Sequence, residues 1–159
     1  MALYTPKYVP TGDEIAVFDT SEGMIRVQLA GKDAPIHVGN FVELATKGFY
    51  NGLTFHRYVP GFVIQGGCPL GTGTGGPGYQ IKQEFTTNPN NSHEDGALAM
   101  ARSQMPDSAG SQFYFCLGPQ HGLDSGYTVF GQTLEGFDVI ARLRKGSKIN
   151  SITIENLAG

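Results

Sequence analysis

The most constraining feature of the chain is the segment from Phe55 to Gly67, in which two short runs of β-branched and aromatic residues flank a Pro-Gly pair. This pattern predicts two antiparallel strands joined by a tight turn. Arg57 and Gln65 lie inside these runs, and a buried charge is costly unless it is paired or used. Alternation with a period of two places Val63 and Gln65 on one strand face and Phe62, close to the turn, on the other.

A second stretch, from Gly110 to Cys116, has the same character. Alternation places Gln112 and Tyr114 on one face of the predicted strand and Phe113 on the opposite face. Strand faces that combine amides with hydrophobic groups are suited to a ligand that is partly apolar and carries backbone-like polar groups. The two stretches together therefore predict a ligand-binding groove.

Several motifs, in their order along the chain, resemble the signature of the cyclophilins, the peptidyl-prolyl cis–trans isomerases. The motifs are Phe55-His56-Arg57, Pro60-Gly61-Phe62, Gln65-Gly66-Gly67, Gly110-Ser111-Gln112-Phe113, Leu123-Asp124, Val129-Phe130-Gly131 and Ile152-Thr153-Ile154. The resemblance as a whole covers residues 14–155, which is nearly the whole chain. The resemblance implies a short, single-domain family member of the prokaryotic kind.

The resemblance implies that Arg57 is the catalytic residue, and the chemistry of arginine suits that role. Rotation about an X-Pro bond has a barrier of about 18–20 kcal/mol. The twisted amide carries a localised lone pair on nitrogen, which a permanently charged guanidinium stabilises more than the planar amide. No covalent step, cofactor or metal is needed. The alternative for Arg57 is an ordinary strand arginine held in a salt bridge.

The resemblance also implies which residues bind the substrate. Gln65 would orient Arg57 and bind the substrate main chain. The proline pocket would be formed by Phe62, Val63, Tyr114 and Leu123. The extended peptide would be held by Ala101 and the backbone of Arg102, with Gln112 at the same rim and Tyr127 at the position of the family's pocket histidine.

The chain departs from the family pattern in its pocket aromatic residues. It contains no tryptophan, and His121-Gly122 stands where the family has one. Tyr127 replaces a histidine, Tyr114 a phenylalanine and Val63 a methionine. We therefore expect weak cyclosporin binding, since the tryptophan normally supports it. The rotation chemistry is expected to remain, because it depends on Arg57, Phe62 and Gln65.

The sequence predicts an all-β fold, a closed antiparallel eight-stranded β-barrel capped by two α-helices. The 23 glycines and 9 prolines favour many tight turns. Apolar residues spaced by three and four predict one helix from Pro35 to Gly48 and a second from Phe137 to Gly146. Residues 80–85 are a candidate short edge strand. Residues 1–13 are expected to form a loosely held arm, and residues 14–159 the cyclophilin-like domain.

Composition limits the partners and the compartment. A net charge of −3 and a pI near 5.7 give no basic surface for nucleic acid. No apolar run has the length of a membrane span or a secretory leader, so we expect no membrane association and a cytoplasmic protein. The expected partners are proline-containing peptides and unfolded or folding proteins, bound by a monomer.

Other functions receive less support from the residues. Residues 71–76 match a G-x-G-x-x-G pattern, but a Pro-Gly pair follows it rather than a helix, which excludes a dinucleotide site. The four histidines lack zinc-ligand spacing. Ser111 and Asp124 lack a nucleophile elbow. The alternative that stays open is a proline-peptide binding module without catalysis.

Overall fold

Eight strands form a single antiparallel sheet in the computed structural model, which describes residues 3–158. Residues 1, 2 and 159, which belong to the predicted arm and domain, lie outside the described part. Along the sheet the strands follow the order β3-β4-β6-β5-β7-β2-β1-β8. The elements are β1 (Ile15–Thr20), β2 (Gly23–Leu29), α1 (Pro35–Thr46), β3 (Phe55–Val59), β4 (Val63–Gly66), β5 (Ala97–Met100), β6 (Phe113–Cys116), β7 (Val129–Glu135), α2 (Phe137–Arg142) and β8 (Ile149–Glu155).

The sheet is curled but open, so the prediction of a closed barrel is wrong. Strands β3 and β8 are its two edges, and a single isolated bridge joins Thr54 to Lys148 just before them. In the antiparallel register of this bridge, the partners of β3 would be residues 143–147 and those of β8 would be residues 47–53. Both segments are turns or irregular chain. Because neither offers an extended edge, no strand ladder closes the barrel.

Residues 80–85, a candidate edge strand from the sequence, do not form one. One isolated bridge joins Ile81 to Ala109. The N–H of Glu84 instead donates to the side-chain oxygen of Thr128, 3.0 Å away. Because a side chain takes this donor, the segment cannot continue a strand ladder.

The sheet separates two apolar clusters, one on each face. The larger cluster includes residues of both helices, and its largest rings are Tyr50, Phe18, Phe41, Phe55, Phe113, Phe115 and Phe130. The smaller one, which we call the outer-face cluster, consists of Val63, Ala97, Ala99, Tyr114, Cys116 and Val129. The alternation predicted for β4, β5 and β6 is confirmed, because neighbouring residues such as Phe113 and Tyr114 enter different clusters.

Helix α1 begins and ends close to the predicted positions. Pro35 is at the start, where its fixed φ favours a helix and its missing N–H costs nothing. The helix has no acidic residue in its own first turn. Glu84 supplies that charge from another part of the chain, since its carboxylate accepts the N–H groups of Ile36 at 3.0 Å and His37 at 2.8 Å.

The two helices lie near opposite ends of β2. Helix α1 follows the last residue of β2 after a short turn, whereas α2 packs beside its first residue: a Cβ on Gly23 would lie 2.9 Å from Val139 Cγ2. Val139 and Ile140 of α2 are buried in the larger cluster. Within residues 3–158, no helix combines the length and apolar character needed to cross a bilayer.

The N-terminal arm is attached to α1, in contrast to the loose arm that the sequence suggested. One oxygen of Glu43 accepts the N–H groups of Lys7 at 2.7 Å and Tyr8 at 2.8 Å. Its other oxygen accepts the hydroxyl of Tyr4 at 2.5 Å. The half-buried carboxylate of Glu43 thus binds the arm at three points. The domain boundary at residue 14 stays a prediction.

Candidate active site

The candidate site is built on a row of residues that crosses four strands. Arg57 of β3 pairs with Gln65 of β4, Gln65 pairs with Tyr114 of β6, and Tyr114 pairs with Ala99 of β5. Directly opposed residues of an antiparallel sheet project to the same face. The row therefore lies on the face that carries the outer-face cluster, opposite the helices.

A cleft of about 460 Å³, which we call the Arg57 cleft, opens along this row. All the predicted site residues except Gln112 line it: Arg57, Phe62, Val63, Gln65, Ala101, Arg102, Tyr114, Leu123 and Tyr127. The sequence did not identify three further lining residues, His56, Thr72 and Gly73.

Two local departures from regular strands bring residues into the cleft that alternation had separated. Phe62 lies in the turn before β4, so it reaches the same cleft as Val63 although alternation placed them on opposite faces. The β3–β4 register shifts between Phe55 and Arg57. Such a bulge redirects side chains, and here both Arg57 and its neighbour His56 line the cleft.

Arg57 is exposed at the rim of the cleft and is not buried among core residues. Its Nη1 atom donates to Oε1 of Gln65 across 3.4 Å, and no carboxylate within residues 3–158 forms an ion pair with it. The structure therefore contains no salt bridge of the kind that the alternative for Arg57 required. Most of the guanidinium donors are free to bind another molecule.

A chain of amides fixes the orientation of Gln65. The Nε2 atom of Gln112 donates to the carbonyl oxygens of Gly73 and Gly75, both at 2.9 Å. Its Oε1 atom is left to accept, and it accepts from Nε2 of Gln65 at 3.0 Å. Because an amide oxygen only accepts, Gln65 must direct its nitrogen toward Gln112 Oε1. The oxygen of Gln65 therefore faces Arg57.

A second cleft of about 530 Å³, the glycine-lined cleft, adjoins the first. Gln112 lines this cleft, and Gln65, Gly73, Ala101 and Arg102 line both clefts. The predicted rim residue Gln112 thus lies between the two openings rather than inside the Arg57 cleft.

The loop that separates the clefts folds around the sulfur of Cys68. Sγ accepts the N–H groups of Gly73 at 3.3 Å and Gly75 at 3.2 Å. Burial raises the pKa of this thiol, but the backbone N–H groups of Gly75, Gly73, Leu70 and Thr72 outweigh burial and lower the pKa to about 7. The same two glycines offer their carbonyls to Gln112, so the loop connects the sulfur with the amide chain.

The far wall of the Arg57 cleft is held by stacked side chains. The guanidinium of Arg102 lies 4.6 Å from the ring centre of Tyr127, and its Nε donates to Gly126 O at 2.7 Å. Tyr127 meets Tyr114 edge to face, with 6.2 Å between ring centres. The Arg102 side chain is thereby fixed as part of the wall, and its backbone remains at the rim.

The floor residue Tyr114 is hydrogen-bonded to His93, which in turn is hydrogen-bonded to Asp124. Its hydroxyl lies 2.9 Å from His93 Nε2, and His93 Nδ1 lies 2.7 Å from Asp124 Oδ1. The second oxygen of Asp124 lies 2.9 Å from Nδ1 of His121, whose side chain is exposed and does not line the Arg57 cleft. His93 and Asp124 are 31 residues apart, so no local spacing could reveal them.

The histidines and Ser111 show no arrangement for metal or hydrolase chemistry. Within residues 3–158, no group of three or more His, Cys, Asp and Glu side chains is placed to hold a metal ion. The hydroxyl of Ser111 is buried and donates to Gly67 O at 2.8 Å. His56 has a buried Nδ1 without a partner in the described part of the chain, and burial followed by the charge of Arg57 lowers its pKa.

Comparison with known proteins relates this geometry to one family. A family model described as "Cyclophilin type peptidyl-prolyl cis-trans isomerase/CLD" matches residues 15–157. A peptidyl-prolyl cis-trans isomerase of Synechococcus elongatus is 50% identical over 141 residues, which cover 87% of this chain and 94% of the relative. Peptidyl-prolyl cis-trans isomerase B of Bacillus subtilis is 48% identical over 131 residues, 82% of this chain and 90% of the relative.

A solved structure shares the fold. The cyclophilin-type peptidyl-prolyl cis-trans isomerase of Cryptosporidium parvum, crystallised in the presence of the dipeptide Ala-Pro, superposes with a TM-score of 0.82 at 29% sequence identity. The match covers 89% of this chain and 99% of that one. The mainly-β fold with two helices is therefore the cyclophilin fold.

Proposed function

The chain belongs to the cyclophilin-type peptidyl-prolyl cis–trans isomerase family, and from this premise we propose that Arg57 catalyses rotation about X-Pro bonds in the Arg57 cleft. Isomerase activity follows from the family and from the relatives that carry its name. The role of Arg57 and the roles of the surrounding residues are the proposal.

One observation carries the proposal: a cation without an ion-pair partner in the described part of the chain stands at the rim of a cleft that contains apolar side chains. The side chains of Phe62, Val63 and Leu123 offer apolar surface there, and Arg57 lies beside it with most of its donors unused. A proline ring is a compact apolar group that such a cleft can bury. Burial of the ring would place its imide nitrogen near the guanidinium.

The proposed mechanism needs no covalent intermediate. As the imide twists, the nitrogen lone pair leaves conjugation with the carbonyl and becomes a hydrogen-bond acceptor. A guanidinium N–H of Arg57 donates to this lone pair, which the planar imide does not offer. The interaction therefore stabilises the transition state selectively, and loss of one such preorganised donor typically costs about 10²–10³ in rate.

The remaining predicted residues hold the peptide. Gln65 keeps its oxygen toward Arg57 and so aims the guanidinium, while the backbones of Ala101 and Arg102 line the rim where an extended chain would lie. We assign the substrate as proline-containing peptides and folding chains. The Cryptosporidium relative crystallised with Ala-Pro supports this assignment. Cytoplasmic location and a monomeric state remain predictions from the sequence.

The test is the rate of cis-to-trans conversion of a short X-Pro peptide with the wild type and with Arg57→Ala. We expect the wild type to accelerate the conversion and the variant to lose most of the acceleration. If both proteins leave the uncatalysed rate unchanged while the wild type still binds the peptide, the chain is a binding module on the same fold and the proposal fails.

A further inference from the structure

Tyr114 places a hydroxyl in a position where a proline pocket gains nothing from one. Its ring lines the Arg57 cleft, and the residue is 4% exposed. A buried hydroxyl without a partner is costly, and a free O–H aimed at an apolar ring would retain water in the cleft. The hydroxyl therefore needs a partner outside the cleft.

His93 is that partner. Its Nε2 atom lies 2.9 Å from the Tyr114 hydroxyl, the residue has no exposed surface, and it does not line the Arg57 cleft. The two rings lie nearly parallel, with centres 6.0 Å apart and planes inclined by 13°. The hydroxyl thus points behind the wall, and the cleft meets only the aromatic part of Tyr114.

Asp124 fixes the direction of this hydrogen bond. Its Oδ1 atom accepts the backbone N–H of His93 at 2.7 Å and lies 2.7 Å from Nδ1 of the same residue. Burial tends to raise the pKa of Asp124, but these bonds and the bond from His121 lower it, so the group is a carboxylate. A carboxylate only accepts, so Nδ1 must carry a hydrogen.

The other ring nitrogen must then accept. Burial lowers the pKa of His93 by more than Asp124 raises it, which keeps the ring neutral. In a neutral ring with hydrogen on Nδ1, the Nε2 atom has a lone pair. The Tyr114 hydroxyl therefore donates to His93, and its hydrogen is directed away from the substrate.

We propose that His93, held by Asp124, is a positioning residue that turns the Tyr114 hydroxyl away from the bound proline and so keeps the cleft floor apolar. The inference rests on the proposed function of the cleft. The His93–Asp124 pair, which does not line the Arg57 cleft, thus makes the tyrosine act as a phenylalanine would at this position.

Two substitutions of His93 separate its two hydrogen bonds. In His93→Asn the amide nitrogen can occupy the place of Nδ1 and still donate to Asp124, but the side chain is too short to reach Tyr114. In His93→Gln the amide oxygen can occupy the place of Nε2 and accept from Tyr114, but the bond to Asp124 is lost. Tyr114→Phe removes the hydroxyl and keeps the ring.

The measurement is NMR exchange spectroscopy with an Ala-Pro peptide, which gives the peptide Kd and the isomerisation rate on the enzyme separately. We expect His93→Asn to raise Kd about tenfold, because the hydroxyl loses its partner. His93→Gln should stay within about twofold of the wild type, since it leaves the hydroxyl an acceptor. Tyr114→Phe serves as the reference background, because it keeps the ring and has no hydroxyl to turn. In that background, the addition of His93→Asn should change Kd by less than about twofold.

Loss of the His93→Asn effect in the Tyr114→Phe background distinguishes positioning from a structural role, because two independent lesions in one core would add. An unchanged Kd in His93→Asn, or a tenfold rise in Kd when His93→Asn is added to Tyr114→Phe, would each overturn the inference. If the wild type does not catalyse exchange, or if Arg57→Ala leaves the exchange rate unchanged, the proposed function fails instead. The two failures are thus distinguishable.

Discussion

The carboxamide oxygen of Gln65 lies 3.4 Å from Nη1 of Arg57 and is the hydrogen-bond partner of that guanidinium within residues 3–158. A neutral amide can orient a cation without neutralising its charge, whereas a carboxylate at the same place would pair with it strongly. Gln112 holds Gln65 from the other side, across 3.0 Å. The cation is therefore aimed, and its charge remains available for a twisting imide.

Removal of the Glu84 carboxylate is expected to destabilise the fold. The group is 4% exposed and bonds two backbone N–H groups of α1 as well as Nδ1 of His37, which lies 2.6 Å away. Glu84→Ala leaves these donors buried and unpaired, which should cost about 3 kcal/mol, and Glu84→Gln should cost about 1 kcal/mol because one acceptor remains. Urea unfolding measures both.

Glu155 provides the matched control for Glu84. It pairs with Arg26 at 2.6 Å on the exposed surface, where such pairs contribute about 0–1 kcal/mol. Glu155→Gln should therefore change the free energy of unfolding little. Equal losses for Glu84→Ala and Glu155→Gln would contradict the role given to Glu84.

The stability of the protein should depend on pH through two histidines that share Asp124 and act with opposite signs. Burial lowers the pKa of His93 below its ordinary 6.5, so the unfolded chain takes up a proton first as the pH falls, and stability is lost from 6.5 down to the folded pKa. The bond to Asp124 raises the pKa of His121. Its contribution is complete below 6.5 and is lost as the pH rises through the folded pKa.

Urea unfolding at a series of pH values checks these signs. His93→Asn should reduce the loss of stability below 6.5, and His121→Asn should remove a loss above it. Burial also lowers the pKa of His56, so His56→Asn should reduce the acid-side loss of stability in the same direction as His93→Asn. An acid-side slope unchanged by His93→Asn would contradict the assignment.

Cys68 should ionise near neutral pH, in contrast to the second cysteine. Backbone N–H groups overcome the effect of burial and lower the pKa of Cys68 to about 7, whereas burial raises the pKa of Cys116 to about 12. Both thiols are buried, so ionisation is best followed by the ultraviolet absorbance of the thiolate, which should rise through a midpoint near 7. Cys68→Ser should abolish this rise, and a midpoint near 9, the ordinary value for a thiol, would refute the prediction.

Cyclosporin should bind weakly, with a Kd in the micromolar range or above. The chain has no tryptophan, and His121, which stands in that region, is exposed and bonded to Asp124 outside the Arg57 cleft. A Cβ on Gly122 would meet no atom within 4 Å, so Gly122→Trp can place an indole beside Leu123. Titration should show tighter binding by this variant, and nanomolar binding by the unaltered chain would contradict the prediction.

Much of the site could be predicted from the sequence because its determinants are local. Alternation assigned Tyr114 to one face and Phe113 to the other, which the two apolar clusters confirm. The resemblance to a known family then supplied the residues to look for, and the structure brings them to one row and two adjoining clefts.

The remaining features depend on contacts between distant residues, which no local pattern encodes. Neither the support of Tyr114 by His93 nor the attachment of the arm by Glu43 leaves a trace in spacing. Closure of the barrel was mispredicted because it depends on two irregular segments that face each other, residues 47–53 and 143–147, and not on strand-forming propensity. Phe62 and His56 reached the cleft through a turn and a bulge, where alternation does not apply.

The most direct test of the account is the isomerisation rate of a bound Ala-Pro peptide, measured by NMR exchange separately from its Kd. We predict that Arg57→Ala lowers this rate about 100-fold or more and changes Kd by less than about fivefold, because the donor acts on the twisted imide. Arg57→Lys should be intermediate, since it keeps the charge and loses the planar fork. Arg144→Ala, which removes an arginine stacked 4.7 Å from the ring centre of Tyr58, is the matched control. A wild-type rate in Arg57→Ala with the peptide bound would contradict the account.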